Sequence, residues 1–190
     1  MKSLAPEVLA FWFGEGVDYG ARHKRWFEKD PQFDVLVAKR FGALHQAMSA
    51  GEHREWLDEP RACLARIVVL DQFPRHICRG TARAFSTDAL AREAAKKLLA
   101  QGWDRELLPV ERMFAYLPFQ HSESLEDQER AFRLCQPLKD FPEIADTARY
   151  ALAHREIIRR FGRFPHRNAA LGRPSTAEEL EFLKQPGSSF

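Results

Sequence analysis

An all-α fold is the class the sequence predicts, and three observations carry it. Apolar residues recur at helical spacing in each periodic segment, the connections are short, and neither a strand pair nor a hairpin turn is legible. Short connections make successive helices antiparallel neighbours. A compact bundle and a superhelix of helical hairpins satisfy that condition equally.

Pro6 at a first turn, followed by Val8, Leu9, Phe11, Trp12 and Phe13, reads as a short buried helix stopped by Gly14 and Gly16. Asp18 is placed to cap a second short helix carrying Trp26 and Phe27. Asp30-Pro31 opens a longer one, with Phe33, Leu36, Val37, Phe41, Leu44 and Met48 at helical spacing and Gly51 at its end. Gly42 inside it costs about 1 kcal/mol against alanine. The run from Glu59 to Phe73 is apolar on more than one side, so this helix is expected at the centre, and Pro74 is expected to end it. Arg75 to Phe85 then reads as a loop or single turn. Thr87-Asp88 begins an amphipathic helix with Leu90, Ala94, Leu98 and Leu99 on one stripe, ending at Gly102; Glu93 and Lys97 pair across one turn. Pro109 starts the next helix through Met113, Phe114 and Tyr116, and Pro118 is expected to break it. Ser122 or Ser124 caps a helix to about Leu134. Phe141-Pro142 opens the long helix through Ile144, Ala148, Ala151, Ile157, Ile158 and Phe161. Ser175-Thr176-Ala177-Glu178 reads as a capping box for a last helix with Leu180 and Leu183, and residues 186–190 as a frayed tail.

The 190 residues fit one domain spanning residues 1–190. A formal charge of +2 gives the chain as a whole little attraction for nucleic acid or an anionic membrane. Cys63, Cys78 and Cys135 are odd in number and far apart, which points to reduced thiols in a cytoplasmic protein and away from a disulfide frame or zinc knuckle. The apolar N-terminal stretch is interrupted by Pro6 and Glu7 and has no clean cleavage site, so it does not read as a signal peptide. No run approaches the roughly 18 apolar residues of a membrane span.

The basic charge is local. Between His154 and Thr176 stand Arg155, Arg159, Arg160, Arg163, Arg167 and Arg173, with His154, His166, Phe161 and Phe164, against the single acid Glu156. The end of this stretch also belongs to an echo. Phe73-Pro74-Arg75-His76 returns as Phe164-Pro165-His166-Arg167, with Leu117-Pro118-Phe119-Gln120-His121 a looser relative between them. Three proline turns carrying polar side chains would make one site if they face one another. No regular repeat period is legible.

The runs LDQFPRHICRGTARAFSTD (residues 70–88), YLPFQHSESLEDQ (residues 116–128) and HREIIRRFGRFPHRNAALGRPSTAEELEFL (residues 154–183) resemble the motifs of the bacterial DUF924 family. The opening FWFG and the Trp26-Phe27 pair are similar to that family's start. The resemblance covers nearly the whole chain. It implies an all-α fold of tetratricopeptide-like type, with antiparallel helical hairpins in a right-handed superhelix. It implies no activity, cofactor or catalytic residue, because none is assigned to the family.

Site chemistry therefore rests on the residues. Guanidinium groups are planar, permanently charged forks that match carboxylates and phosphates. Arg75, Arg79, Arg163 and Arg167 are candidates to hold an anionic small molecule or peptide, with Gln72, Tyr116, His121, His166 and Asn168 to orient it. A second reading pairs these arginines internally with Asp71, Asp88, Glu123 and Asp127, which leaves an outer surface for a protein partner. A third is an acid–base or metal-dependent hydrolase built on His121, Glu123, Asp127 and His166. Glu123 and Asp127, four residues apart, repel on one helix face unless an arginine or a divalent metal lies between them. His121 and His154 would complete the metal set, although no HExxH or paired Glu-x-x-His supports one. No other cofactor is expected, since phosphate loops and dinucleotide fingerprints are absent. Ser122 lacks a nucleophile elbow, and Cys78 beside His76 and Arg79 is a lone thiol. Stacking of bases on Phe161 and Phe164 is opposed by the abundant acid on the flanking helices.

Overall fold

The computed structural model describes residues 4–21 and 23–189, and the regular elements among them are all helical. Helix α1 (Ala5–Phe13) has Pro6 in its first turn and buries Val8, Leu9, Trp12 and Phe13. It stops at Gly14, whose φ of 94° suits glycine; an added Cβ would also lie 3.0 Å from the Asp18 carbonyl oxygen. The helix expected around Trp26 is instead two separate 3₁₀ turns, Gly16–Asp18 and Lys24–Trp26. The segment between them is too short and too polar to sustain an amphipathic face.

Helix α2 (Pro31–Ser49) is capped by Asp30, whose carboxylate accepts from the backbone N–H groups of Gln32 and Phe33. Glu59 does the same for α3 (Pro60–Ile67), accepting from Arg61 and Ala62. As its apolar faces require, α3 is central, with Cys63, Leu64, Ala65 and Ile67 buried against α1, α5 (Asp88–Ala100) and α6 (Pro109–Gln120). The aromatic rows form the core beside it. Trp12 makes edge contacts with Phe73 and Phe114, Phe41 stacks on Phe73, and Trp26 meets Phe114 edge-on at 4.9 Å.

Pro74 does not end the central helix. Val68–Gln72 widen into a π turn, and the chain continues as α4 (Phe73–Ile77), which packs on α2. In a regular helix the residue-74 N–H would serve the Leu70 carbonyl; proline has no such donor, and its ring crowds that oxygen. The wider turn relieves the crowding. The buried Thr87 hydroxyl, arriving from the start of α5, donates to the Leu70 oxygen at 2.6 Å. Residues 75–85 are accordingly more ordered than a loop, with α4 followed by a 3₁₀ turn, Ala82–Phe85.

Pro118 is likewise absorbed, and α6 runs on to Gln120. Helix α7 (Leu125–Cys135) packs on both α6 and α8 (Thr147–Phe161). Phe141-Pro142 opens a separate 3₁₀ turn, Pro142–Ile144, rather than α8 itself. The last helix, α9 (Ala177–Leu183), has its capping box one residue later than the sequence suggested. Thr176 accepts from the Glu179 N–H, and Glu179 accepts from the Thr176 N–H at 2.7 Å. Glu178, the other candidate, is exposed and pairs with Arg160. Phe161 and Phe182 join α8 to α9 in a small second cluster with Ile157, Ile158 and Phe164. The tail after Pro186 turns back, with Ser188 buried and its hydroxyl donating to the Leu183 carbonyl. Phe190, also expected to fray, lies outside the described residues.

Candidate functional site

The three proline-bearing motifs do face one another. They line one cavity of about 560 Å³, within the range of small-molecule sites. Gln72, Arg75 and His76 come from the first motif, Leu117, Gln120 and His121 from the second, and His166 and Arg167 from the third. The residues after Pro74 and Pro118 stay helical, in α4 and in the last turn of α6, and those after Pro165 form a 3₁₀ turn, Pro165–Arg167; all three motifs place polar side chains on the shared space. Trp26, Phe27, Met113 and Leu117 give part of the wall an apolar character, and His154 enters from α8.

A buried relay of charge crosses one side of this cavity. Asp71 lies in the π turn with no exposed surface, and its carboxylate accepts from His121 Nδ1 at 2.8 Å and from Gln72 Nε2 at 2.5 Å. Arg75 Nη1 stands 3.6 Å from the same carboxylate and also donates to the Asp71 backbone oxygen. The Arg75 fork then engages Asp88 with both terminal nitrogens, at 2.8 and 3.2 Å. Asp88 in turn accepts a longer bond, 3.4 Å, from Arg167 Nη1.

Arg167 is held differently from the other arginines. Its guanidinium lies between two rings, 4.6 Å from the Phe85 centroid and 4.5 Å from that of Phe164. Of its five N–H donors, only the long Nη1 bond to Asp88 is made among the described residues, and Nε is buried without a hydrogen-bond partner. Burial, with the neighbouring Arg75 charge, pulls its pKa down to about 10, which still leaves it charged at neutral pH.

The histidines here are neutral. Burial pushes His154 down to about 3 and His166 down to about 4, with help from His121 and Arg167 respectively. Burial and then Arg75 also lower His121, against the pull of Asp71. For Asp71, burial raises the pKa, but His121 and Arg75 together outweigh it and keep the carboxyl ionised. Donation of the His121 Nδ1–H to Asp71 fixes the tautomer and leaves the Nε2 lone pair for the cavity.

Gln72, Arg75, Arg79, His121, His154, His166 and Arg167 thus meet at the cavity, while the other candidates do not line it. Arg79 stands at its edge with its fork committed to Asp34. Tyr116 is buried in α6 and donates to Asp104 at 2.9 Å. Arg163 pairs with Glu179 and with the Pro174 carbonyl, and Asn168 with Glu179 and Ser175. These bonds fasten the segment before α9. Glu123 takes both terminal nitrogens of Arg173, at 2.7 and 2.9 Å, together with the Phe164 N–H. Asp127 faces Arg92 and accepts from Ser122. Each of these two carboxylates therefore has its own arginine, and among the described residues no group of three or more His, Cys, Asp or Glu side chains could hold a metal ion.

Asp71 is the site residue that sequence reasoning placed only in an internal network. Its signal was present: a lone carboxylate inside the apolar run Ile67–Leu70 and Phe73 must be buried, and a buried carboxylate must be paired. Phe85, one wall of the Arg167 sandwich, carried no such signal.

The family model for DUF924, bacterial proteins of unknown function, matches residues 8–187. A protein of unknown function from Agrobacterium tumefaciens, whose structure has been solved, is 40% identical. The match covers 95% of this chain and 97% of that one, with a TM-score of 0.85. No curated protein matches the chain. With the family model spanning nearly its full length, the chain belongs to the DUF924 family of bacterial proteins.

Proposed function

We propose that the cavity binds an anionic small molecule or the carboxylate end of a peptide, with Arg167 as the principal anchor. The observation that carries this reading is the Arg167 guanidinium itself: buried, charged, clamped between Phe85 and Phe164, and short of acceptors. A cation prepaid into a fixed plane offers its unused forked donors to a carboxylate or phosphate at little entropic cost. Arg75 adds a second positive charge beside it, and the apolar wall at Met113 and Leu117 suits a ligand with a hydrocarbon part. Arg79, Arg163 and Arg173, each committed to a carboxylate, serve the fold instead.

The surrounding architecture is proposed to be a tetratricopeptide-like stack of helical hairpins forming one domain. Successive packing of α5 on α6, α6 on α7 and α7 on α8 supports it. A cytoplasmic location is proposed as well, supported by three cysteines that are all free thiols. No helix among the described residues is long and apolar enough to cross a membrane.

Calorimetric titration with sodium butyrate and with phosphate tests the anion reading. Wild-type protein and Arg163→Ala should bind one of the two, and Arg167→Lys, which loses the planar fork and the ring sandwich, should bind at least 10-fold more weakly. Equal affinity in Arg167→Lys, or no binding of either anion by the wild type, overturns the reading.

A further inference from the structure

The anion site explains Arg167 but not the histidine beside it. A residue that merely orients a ligand needs no buried carboxylate behind it. His121 has one: Asp71 sits fully buried, in a π turn that the α-helical ladder would not otherwise adopt, and its Oδ1 takes the Nδ1–H of His121 at 2.8 Å. Gln72 Nε2 holds the other Asp71 oxygen, so the carboxylate cannot swing away from the imidazole. The result is a fixed acid–imidazole pair whose remaining ring nitrogen, Nε2, makes no hydrogen bond among the described residues and borders the cavity. Arg75 ties this pair to the anion site, 3.6 Å from Asp71 on one side and 2.8 Å from Asp88, the partner of Arg167, on the other.

Resting on the anion-site reading, we infer that His121, positioned by Asp71, is the general base of a hydrolase acting on a carboxylic ester whose acyl chain is mainly apolar. A water hydrogen-bonded to Nε2 gives that nitrogen a proton as its oxygen adds to the acyl carbon. The carbonyl π pair moves onto oxygen, and the unused Arg167 donors stabilise the oxyanion that forms. Collapse of this intermediate breaks the bond to the alkoxy oxygen, which leaves with the proton held by His121. One water is consumed, and an alcohol and a carboxylic acid are released. The acid ionises to a carboxylate that meets the same Arg167 fork, so one group serves both the oxyanion and the product. The acyl chain lies along Met113 and Leu117. His121 touches the reacting water and Arg167 the reacting oxygen, and Asp71 acts through His121.

Release of p-nitrophenolate from p-nitrophenyl butyrate, together with calorimetric binding of butyrate, tests the inference. The wild type should hydrolyse the ester faster than buffer, and His121→Gln should lower kcat by about 100-fold or more while still binding butyrate. Asp71→Asn should lower kcat with KM unchanged and displace the acidic limb of the pH–rate profile, which a merely structural carboxylate would not move. Diethyl pyrocarbonate on the unmodified chain provides a check that does not depend on variant folding: activity should fall in step with carbethoxylation of His121, and butyrate should slow both. A wild-type rate equal to buffer or to that of His121→Gln, or His121 acylated without loss of activity, overturns the general base. If butyrate still binds in an Arg167-dependent way in that case, the anion site stands and only the catalytic inference falls. If the wild type binds neither butyrate nor phosphate and does not cleave the ester, both fall.

Discussion

Lowering the pH from 7.5 to 5 should unload the structure through the two buried histidines whose pKa values fall furthest. His154 donates its Nδ1–H to the Tyr150 carbonyl and packs edge-on against Phe164, and His166 lies against the same ring. In the unfolded chain both titrate near 6.5; in the folded protein burial holds them neutral until about 3 and about 4. Below pH 6.5 the unfolded state therefore binds more protons than the native state, so stability falls as the pH falls. The loss begins near 6.5 and continues until each folded value is reached. At about 1.4 kcal/mol per pH unit, each histidine costs about 2 kcal/mol at pH 5, or about 4 kcal/mol for the pair. That is a large part of the roughly 5–15 kcal/mol of a typical domain. Urea denaturation at the two pH values, with linear extrapolation, reads the difference directly, provided the slope with denaturant is the same at both. His154→Gln keeps an uncharged donor for Tyr150 and should recover about half of the loss. An unchanged wild-type stability at pH 5, or a His154→Gln protein with the same pH dependence as wild type, would refute the account. The carboxylates act in a separate, lower window: Asp71 is held below its ordinary value, so its contribution is present above about pH 4 and is lost only as the pH drops further.

Two further outcomes follow from the network. Thr87→Val removes the buried donor to the Leu70 carbonyl left over by Pro74 and should cost about 1–3 kcal/mol in urea denaturation. Glu123→Gln weakens the double Arg173 clamp and should speed amide hydrogen exchange in residues 164–176, leaving α1 and α3 as protected as in the wild type.

Much of the fold was legible because helical periodicity and capping are local. Asp30 and Glu59 cap where short-range chemistry places them, Gly14 stops α1, and α3 is central because its sequence is apolar on more than one side. The misreadings cluster at prolines. Pro74 and Pro118 are helix breakers by local rule, yet both sit inside helical stretches; at Pro74 a distant hydroxyl, 17 residues away in the chain at Leu70's carbonyl, supplies what the proline cannot.

The sequence by itself determined the helical class, the family and the three polar proline motifs, since each is written in residue type and short spacing. Only the tertiary structure decided what those motifs do together. Six of the nine residues proposed as ligand-binding line the cavity, while Tyr116 binds Asp104 and Arg163 and Asn168 bind Glu179 of α9. An arginine's role depends on which carboxylate reaches it first, and that is fixed by packing between segments far apart in the chain. Arg173 and Glu123 are 50 residues apart, and Arg167 and Asp88 are 79 apart. The same holds for His121, whose partner Asp71 lies 50 residues away, in a turn that exists because of a proline three positions further on.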